Sequence, residues 1–161
     1  MKEANDYPAK MGGAALGARL RRLSAAIDAD AARVYAAAGV AFEQRWFGVV
    51  DQLARNGPMA VGALADALGI SHASVSETRR SLEAAGHIHV VTDGSDGRRR
   101  VLALSAQGQA LVDRLGSLWR AFDDAASALD QEAGGVTAAL DRLDEALSRR
   151  SLRERIYDAM A

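Results

Sequence analysis

Few stretches restrict a fold as strongly as residues 61–105 of this chain, whose centre is the turn Leu68-Gly69-Ile70-Ser71. Upstream, VGALADAL sets Val61, Leu64, Ala65 and Leu68 on one face of a short helix over Val61–Leu68. Downstream, HASVSETRRSLEAAG predicts a second helix that Ser71 caps and Gly86 ends, with Val75 and Leu82 inward. Helices that cross steeply need a small residue where they meet, and Ala65 supplies it. The turn needs a residue tolerant of positive φ, and Gly69 supplies that. Residues 87–92 and 99–105 then alternate or run apolar as short strands. Their connector, Asp93-Gly94-Ser95-Asp96-Gly97-Arg98, is rich in Gly and Asp, as a hairpin loop should be.

Helix, tight turn, helix and basic hairpin make a winged helix-turn-helix, a module whose second helix fits a major groove roughly 12 Å wide. Ser71 starts that helix, and its outer face presents His72, Ala73, Ser74, Ser76 and Glu77. Ser74 and Ser76 can donate or accept at base edges, Ala73 can meet a thymine methyl, and His72 can reach a base or a phosphate. Arg79 and Arg80, one turn on, suit phosphates. Arg98, Arg99 and Arg100 gather at the hairpin opposite Asp96, whose carboxylate can brace a guanidinium aimed at a minor groove or a phosphate. The plainer alternatives are a helical hairpin, a solvated charged loop, and a Ser74 hydroxyl spent on the helix start.

Bulk composition narrows the rest. The 161 residues suit one domain with a sizeable core. A formal net charge of −1 means that any grip on nucleic acid must come from local charge. Cysteine is absent, which excludes disulfides, thiol redox sensing and thiolate zinc sites. No apolar run approaches the roughly 18 residues of a membrane span. MKEANDYPAK lacks an apolar signal core, so a cytoplasmic protein is expected.

Helix signals surround the module. Over residues 14–38, Leu16, Leu20, Leu23, Ile27 and Val34 keep one stripe, which needs a partner. Residues 42–56 read as a second helix with Trp46, Val49, Val50 and Leu53 inward. A long helix over 106–129 carries Leu111, Leu115, Leu118, Trp119 and Phe122. Gly134 and Gly135 interrupt it, and a further helix carries Leu140, Leu143 and Leu147. Ser151-Leu152-Arg153-Glu154 has capping-box spacing and predicts a separate terminal helix containing Ile156. The organisation is a polar tail 1–13, a winged helix-turn-helix DNA-binding region 42–105, and a helical dimerisation region 14–41 and 106–161. The fold class is mainly α with a small β-hairpin wing.

LADALGISHASVSETRRSLEAAGHI, Asp96-Gly97-Arg98 and Leu102-Ala103-Leu104-Ser105-Ala106-Gln107-Gly108 together resemble the MarR family of bacterial transcriptional regulators. The resemblance implies a homodimer whose first and last helices interlock, with Leu16, Leu20, Leu23, Leu140, Leu143, Leu147 and Ile156 as dimerisation residues. It also implies a pseudo-palindromic double-stranded DNA operator, one winged module per half-site, and repression relieved by a small hydrophobic or aromatic effector. Glu77 departs from the pattern, standing where the family often carries Arg. RWFGVVDQLARNGP also looks like a subgroup that can carry a fused acetyltransferase, but no such second domain is expected here.

In such a fold Tyr35, Phe42, Arg45, Trp46, Trp119 and Phe122 are candidates for an effector pocket, although aromatics at helical spacing also serve as core. His87, His89 and Asp93 make an incomplete ligand set, so no metal or cofactor is expected. No Ser is paired with a base and no Gly-rich phosphate loop is present, which argues against an enzyme. The competing function is a winged helix used as a protein-interaction module; Glu77 favours it and the Arg98-Arg99-Arg100 cluster opposes it.

Overall fold

A computed structural model describes residues 10–92 and 100–161. After a 3₁₀ turn at Gly12–Ala15 come α1 (Leu16–Ala37), a second 3₁₀ turn (Gln44–Trp46), α2 (Phe47–Asn56), α3 (Val61–Leu68) and α4 (His72–Ala84). Strands β1 (Ile88–Thr92) and β2 (Arg100–Leu104) follow, then α5 (Ala106–Glu132), α6 (Val136–Arg149) and α7 (Leu152–Met160). The chain divides into two units, residues 1–112 and 113–161. None of the helices is long and apolar enough to cross a membrane among the described residues.

The core of the first unit is built largely where the sequence pattern places it, although Val61 and Leu68 of α3 are only half-buried. Val49, Val50 and Leu53 of α2, Leu64 and Ala65 of α3, and Val75 and Leu82 of α4 are all buried. Thr78 joins them, a polar residue that the apolar spacing alone did not single out. Strands β1 and β2 pair antiparallel, with Ile88 opposite Leu104 and Thr92 opposite Arg100. Met59 adds an unanticipated bridge: its N–H donates to the Leu102 carbonyl at 3.0 Å and its carbonyl accepts from the Leu102 N–H at 2.8 Å. The loop before α3 is thereby stitched to the returning strand of the wing.

Two boundaries differ from the periodicity. Residues 42 and 43 lie outside any helix, and Glu43 is extended (φ −99°, ψ 132°). The Phe42 ring lies 4.8 Å from Tyr35 and 5.6 Å from Trp46, so aromatic packing holds this residue off the helical path. Helix α5 continues past residue 129 to Glu132. On α1 the buried residues are Ala31 and Tyr35, whereas Leu16, Leu20, Leu23, Ile27 and Val34 are 38–57% exposed. That stripe faces outward in the single chain.

Within the second unit, local hydrogen bonds fix the connections. The Asp130 carboxylate accepts from the Thr137 N–H at 2.8 Å and from its hydroxyl at 2.9 Å, which secures the start of α6. Both hydrogen bonds of the Ser151/Glu154 capping box form, as the sequence predicts. Arg155 donates to the Ala146 carbonyl at 2.8 Å, satisfying the end of α6. Leu129, Val136, Leu140, Leu147, Leu152, Ile156, Tyr157 and Met160 are exposed, and Leu143 is half-buried.

The run from Leu102 to Gly108 has a structural purpose. Ser105 Oγ donates to the Gly86 carbonyl at 2.6 Å and accepts from the Gly108 N–H at 3.0 Å. The Ser105 N–H donates to the His87 carbonyl at 2.9 Å. At Gly108 a Cβ would collide with that same carbonyl oxygen. The end of α4, the first wing strand and the start of α5 are thus joined through one serine and one side-chain-free position. Gly108→Ala is therefore expected to destabilise the fold by about 2 kcal/mol or more, since backbone must move to relieve the overlap. A urea titration of wild type and variant checks this.

Candidate nucleic-acid interface

The second helix of the motif is presented by its turn. Gly69 adopts a left-handed conformation (φ 62°, ψ 29°), and the Ile70 N–H reaches back to the Ala65 carbonyl at 3.1 Å. The chain then extends through Ser71, whose Oγ accepts from the Ser74 N–H at 3.1 Å. Ser71 and Ser74 also share a hydroxyl–hydroxyl bond of 2.8 Å, so the Ser74 side chain is engaged at the helix start. His72 lies exposed beside α3, where a Cβ on Gly62 would stand 3.3 Å from its Cε1.

Burial of Val75, Thr78 and Leu82 fixes which face of α4 is presented. Helical spacing sets Ala73, Ser76, Glu77 and Arg80 on the opposite side. Of these, Ser76 is half-buried and the others are exposed. Arg80 Nε donates to the Ser76 carbonyl at 3.2 Å, which lays the guanidinium along the outer surface. Arg79 is placed differently. It lies on the flank of the helix, half-buried, with Nε 3.5 Å from the Glu83 carboxylate in a contact too poorly aligned to be a hydrogen bond. Arg100 is exposed at the start of β2, opposite Thr92 and next to the connector of the hairpin. Asp96, Arg98 and Arg99, expected to arm the wing, lie outside the described residues, as does Asp93.

A bracket that sequence reasoning missed holds α4 from the side. Trp46 Nε1 donates to Ser81 Oγ at 3.1 Å, and Ser81 Oγ donates to Glu43 at 3.4 Å. Arg45 donates to Glu43 at 2.5 Å and to Glu77 at 2.9 Å. The hydrogen bond that Arg45 donates to Glu43, with the one to Glu77 adding to it, raises the Arg45 pKa above its ordinary value, so the guanidinium stays charged. Tyr35 donates its hydroxyl to Gln44 at 3.0 Å, tying α1 to the same segment. The one legible signal for these contacts was Trp46, because a buried indole N–H usually finds an acceptor; its partner is 35 residues away.

Of the candidate effector residues, the first unit brings Tyr35, Phe42 and Trp46 into one buried aromatic cluster. Arg45 stands exposed beside it, already paired with two carboxylates. Trp119 and Phe122 are half-buried residues of the second unit.

A capped helix with a small and polar outer face, framed by a two-stranded wing, defines a winged helix-turn-helix of the kind that enters DNA. Residues 41–99 match the family model described as the MarR family. Among solved structures, a probable transcriptional regulator from Pseudomonas aeruginosa is 25% identical, covers 80% of this chain and 96% of its own, and aligns with a TM-score of 0.62. The MepR–DNA complex of S. aureus is 19% identical (81% and 97% covered, TM-score 0.65). The PcaV transcriptional regulator of Streptomyces coelicolor, solved with its natural ligand, is 20% identical (84% and 93% covered, TM-score 0.63). No curated protein matches the sequence. The chain is thus similar to the MarR family over its winged helix-turn-helix segment, and these solved regulators share its fold.

Beneath the interface, His87 is 7% exposed, its ring lies 5.7 Å from Trp46, and its Nδ1 has no hydrogen-bond partner among the described residues. Desolvation lowers its pKa, so the neutral imidazole is the form that fits. The unfolded chain, with an imidazole near its ordinary value of about 6.5, binds the proton more readily than the folded one. Stability is therefore full above that value and declines as the pH falls from there toward the lower folded value. Urea midpoints at mildly acidic and neutral pH should show this decline in wild type and a smaller one in His87→Phe.

Proposed function

We propose that the chain is a homodimeric repressor that binds a pseudo-palindromic operator through two copies of α4 and leaves it when a small hydrophobic or aromatic ligand binds. The outer face of α4 supports the DNA half most directly. Ala73, Ser76, Glu77 and Arg80 form a surface of small and hydrogen-bonding groups, backed by a tightly buried inner face. Such a surface suits base edges and phosphates.

Dimerisation accounts for the exposed apolar residues at both ends of the chain. Leu16, Leu20 and Leu23 on α1, Leu140 and Leu147 on α6, and Ile156 on α7 are each at least 38% exposed. Exposed apolar residues repeated along a helix commonly mark an interface between subunits. Two α4 helices related by a two-fold axis would read half-sites about one helical turn apart. On this reading residues 14–41 and 106–161 serve dimerisation and residues 42–105 serve DNA. Glu77 on its own would favour a protein-binding surface, yet Arg45 matches its charge.

The ligand half rests on the family resemblance and on the likeness to PcaV, a regulator solved with its natural ligand. Ligand release needs only that the effector bind the non-operator conformation more tightly than the operator-binding one.

With a net charge of −1, the electrostatic part of binding must come from a few local arginines. Arg80→Ala is expected to reduce the slope of log affinity against log salt by about one unit, the contribution of one phosphate contact. A mobility-shift series on the promoter region of its own gene, alongside sedimentation to show an unchanged dimer, checks this. An unchanged slope removes Arg80 from the interface. Adding aromatic acids to the same assay should release the DNA; release by none of them counts against the ligand half.

A further inference from the structure

The least expected residue on the outer face of α4 is Glu77, a carboxylate on a surface that would meet a polyanion. Its environment answers the difficulty. Arg45 Nη1 donates to Glu77 Oε1 at 2.9 Å, while Arg45 Nε is held by Glu43 at 2.5 Å. Glu43 in turn accepts from Ser81, which accepts from the Trp46 indole. The guanidinium is therefore fixed from behind by a residue outside α4, and it neutralises Glu77 while orienting it. Among the described residues no other hydrogen bond reaches the Glu77 carboxylate, so Oε2 retains its acceptor capacity. With side chains 48% and 68% exposed, the pair contributes little to stability, and its placement calls for another purpose.

We propose that the Arg45–Glu77 pair reads cytosine: Glu77 accepts a hydrogen bond from a cytosine N4 amine in the major groove, and Arg45 positions it to do so. This rests on α4 being the helix that contacts bases. The choice of base follows from the groove pattern. An ionised carboxylate can only accept. Guanine offers acceptors at N7 and O6, and thymine offers an acceptor and a methyl group; neither suits it. Adenine offers its N6 amine beside the N7 acceptor, which repels the second oxygen. Cytosine offers a donor alone. Glu77 shares the outer face of α4 with Ser76 and Arg80, so contact of that face with base edges would include its carboxylate. Glu77 is then a specificity-determining residue, and Arg45 is a positioning residue that acts through it.

Selection of the full chain on a library of randomised duplexes tests this. Wild type is expected to select one cytosine per half-site, preferred about ten-fold over other bases, within the usual range for a single base pair. Glu77→Ala and Arg45→Ala should flatten that position and leave the others intact. Glu77→Gln should move the preference to adenine, because an amide can pair with N6 and N7 together. Retention of the same cytosine in Glu77→Ala and Glu77→Gln overturns the proposal. A uniform rise in affinity in Glu77→Ala, with an unaltered motif, also overturns it and makes Glu77 a repulsive bystander. A smaller salt slope in Arg45→Ala with unaltered base choice assigns Arg45 to a phosphate and overturns its positioning role. Wild type selecting no motif at all overturns base reading by α4 itself, a different failure from the others.

Discussion

The face of α4 proposed to meet DNA depends on how α3 and α4 cross. Leu64 and Val75 have no exposed surface and Ala65 has only 3%, so the two helices meet at a point where one extra methylene would be felt. The left-handed Gly69 and the backbone bond from Ile70 to Ala65 set the angle at which α4 leaves that point. From there Ser71 Oγ satisfies one first-turn amide of α4, that of Ser74, and Ser105 secures its far end through Gly86. A recognition helix held at its start, along its buried side and at its end presents one face reproducibly. Such preorganisation would let a few side chains distinguish base pairs, because little ordering cost remains at binding.

How much of this was legible in the sequence depended on whether the signal was local. The crossing was legible because Ala65, Gly69, Ser71, Val75 and Leu82 carry it within a short span. The hairpin and the α7 capping box were legible for the same reason. By contrast, the bracket at 43–46 joins residues 32 to 38 positions apart, and nothing in the run of Glu43, Gln44 and Arg45 announces Ser81 or Glu77. Phe42 was drawn from a helical pattern into an extended segment by Tyr35 and Trp46, a tertiary contact overriding a periodic one. The outward stripe of α1 shows the limit of reading apolar periodicity as core. Leu16, Leu20, Leu23 and Ile27 are regularly spaced but stay exposed in the single chain, while the buried contacts of that helix are made by Ala31 and Tyr35.

Charge is distributed with similar restraint. A chain with net charge −1 cannot hold DNA through a general positive field. Arg79 is drawn toward Glu83 and Arg45 toward Glu43 and Glu77, which leaves Arg80 as the cation laid along the outer face of α4. Binding that relies on few phosphate contacts per subunit gains from using two subunits at once, since the second half-site is then met at high effective concentration. The exposed apolar residues of α1, α6 and α7 are consistent with that economy.

Hydroxyl-radical footprinting of the protein on a duplex that it selects is the most direct test that α4 reads DNA as one of a symmetric pair. Two protected tracts related by a dyad, their centres about one helical turn apart, are expected. A single tract, or uniform weak protection along the duplex, would contradict paired recognition through α4.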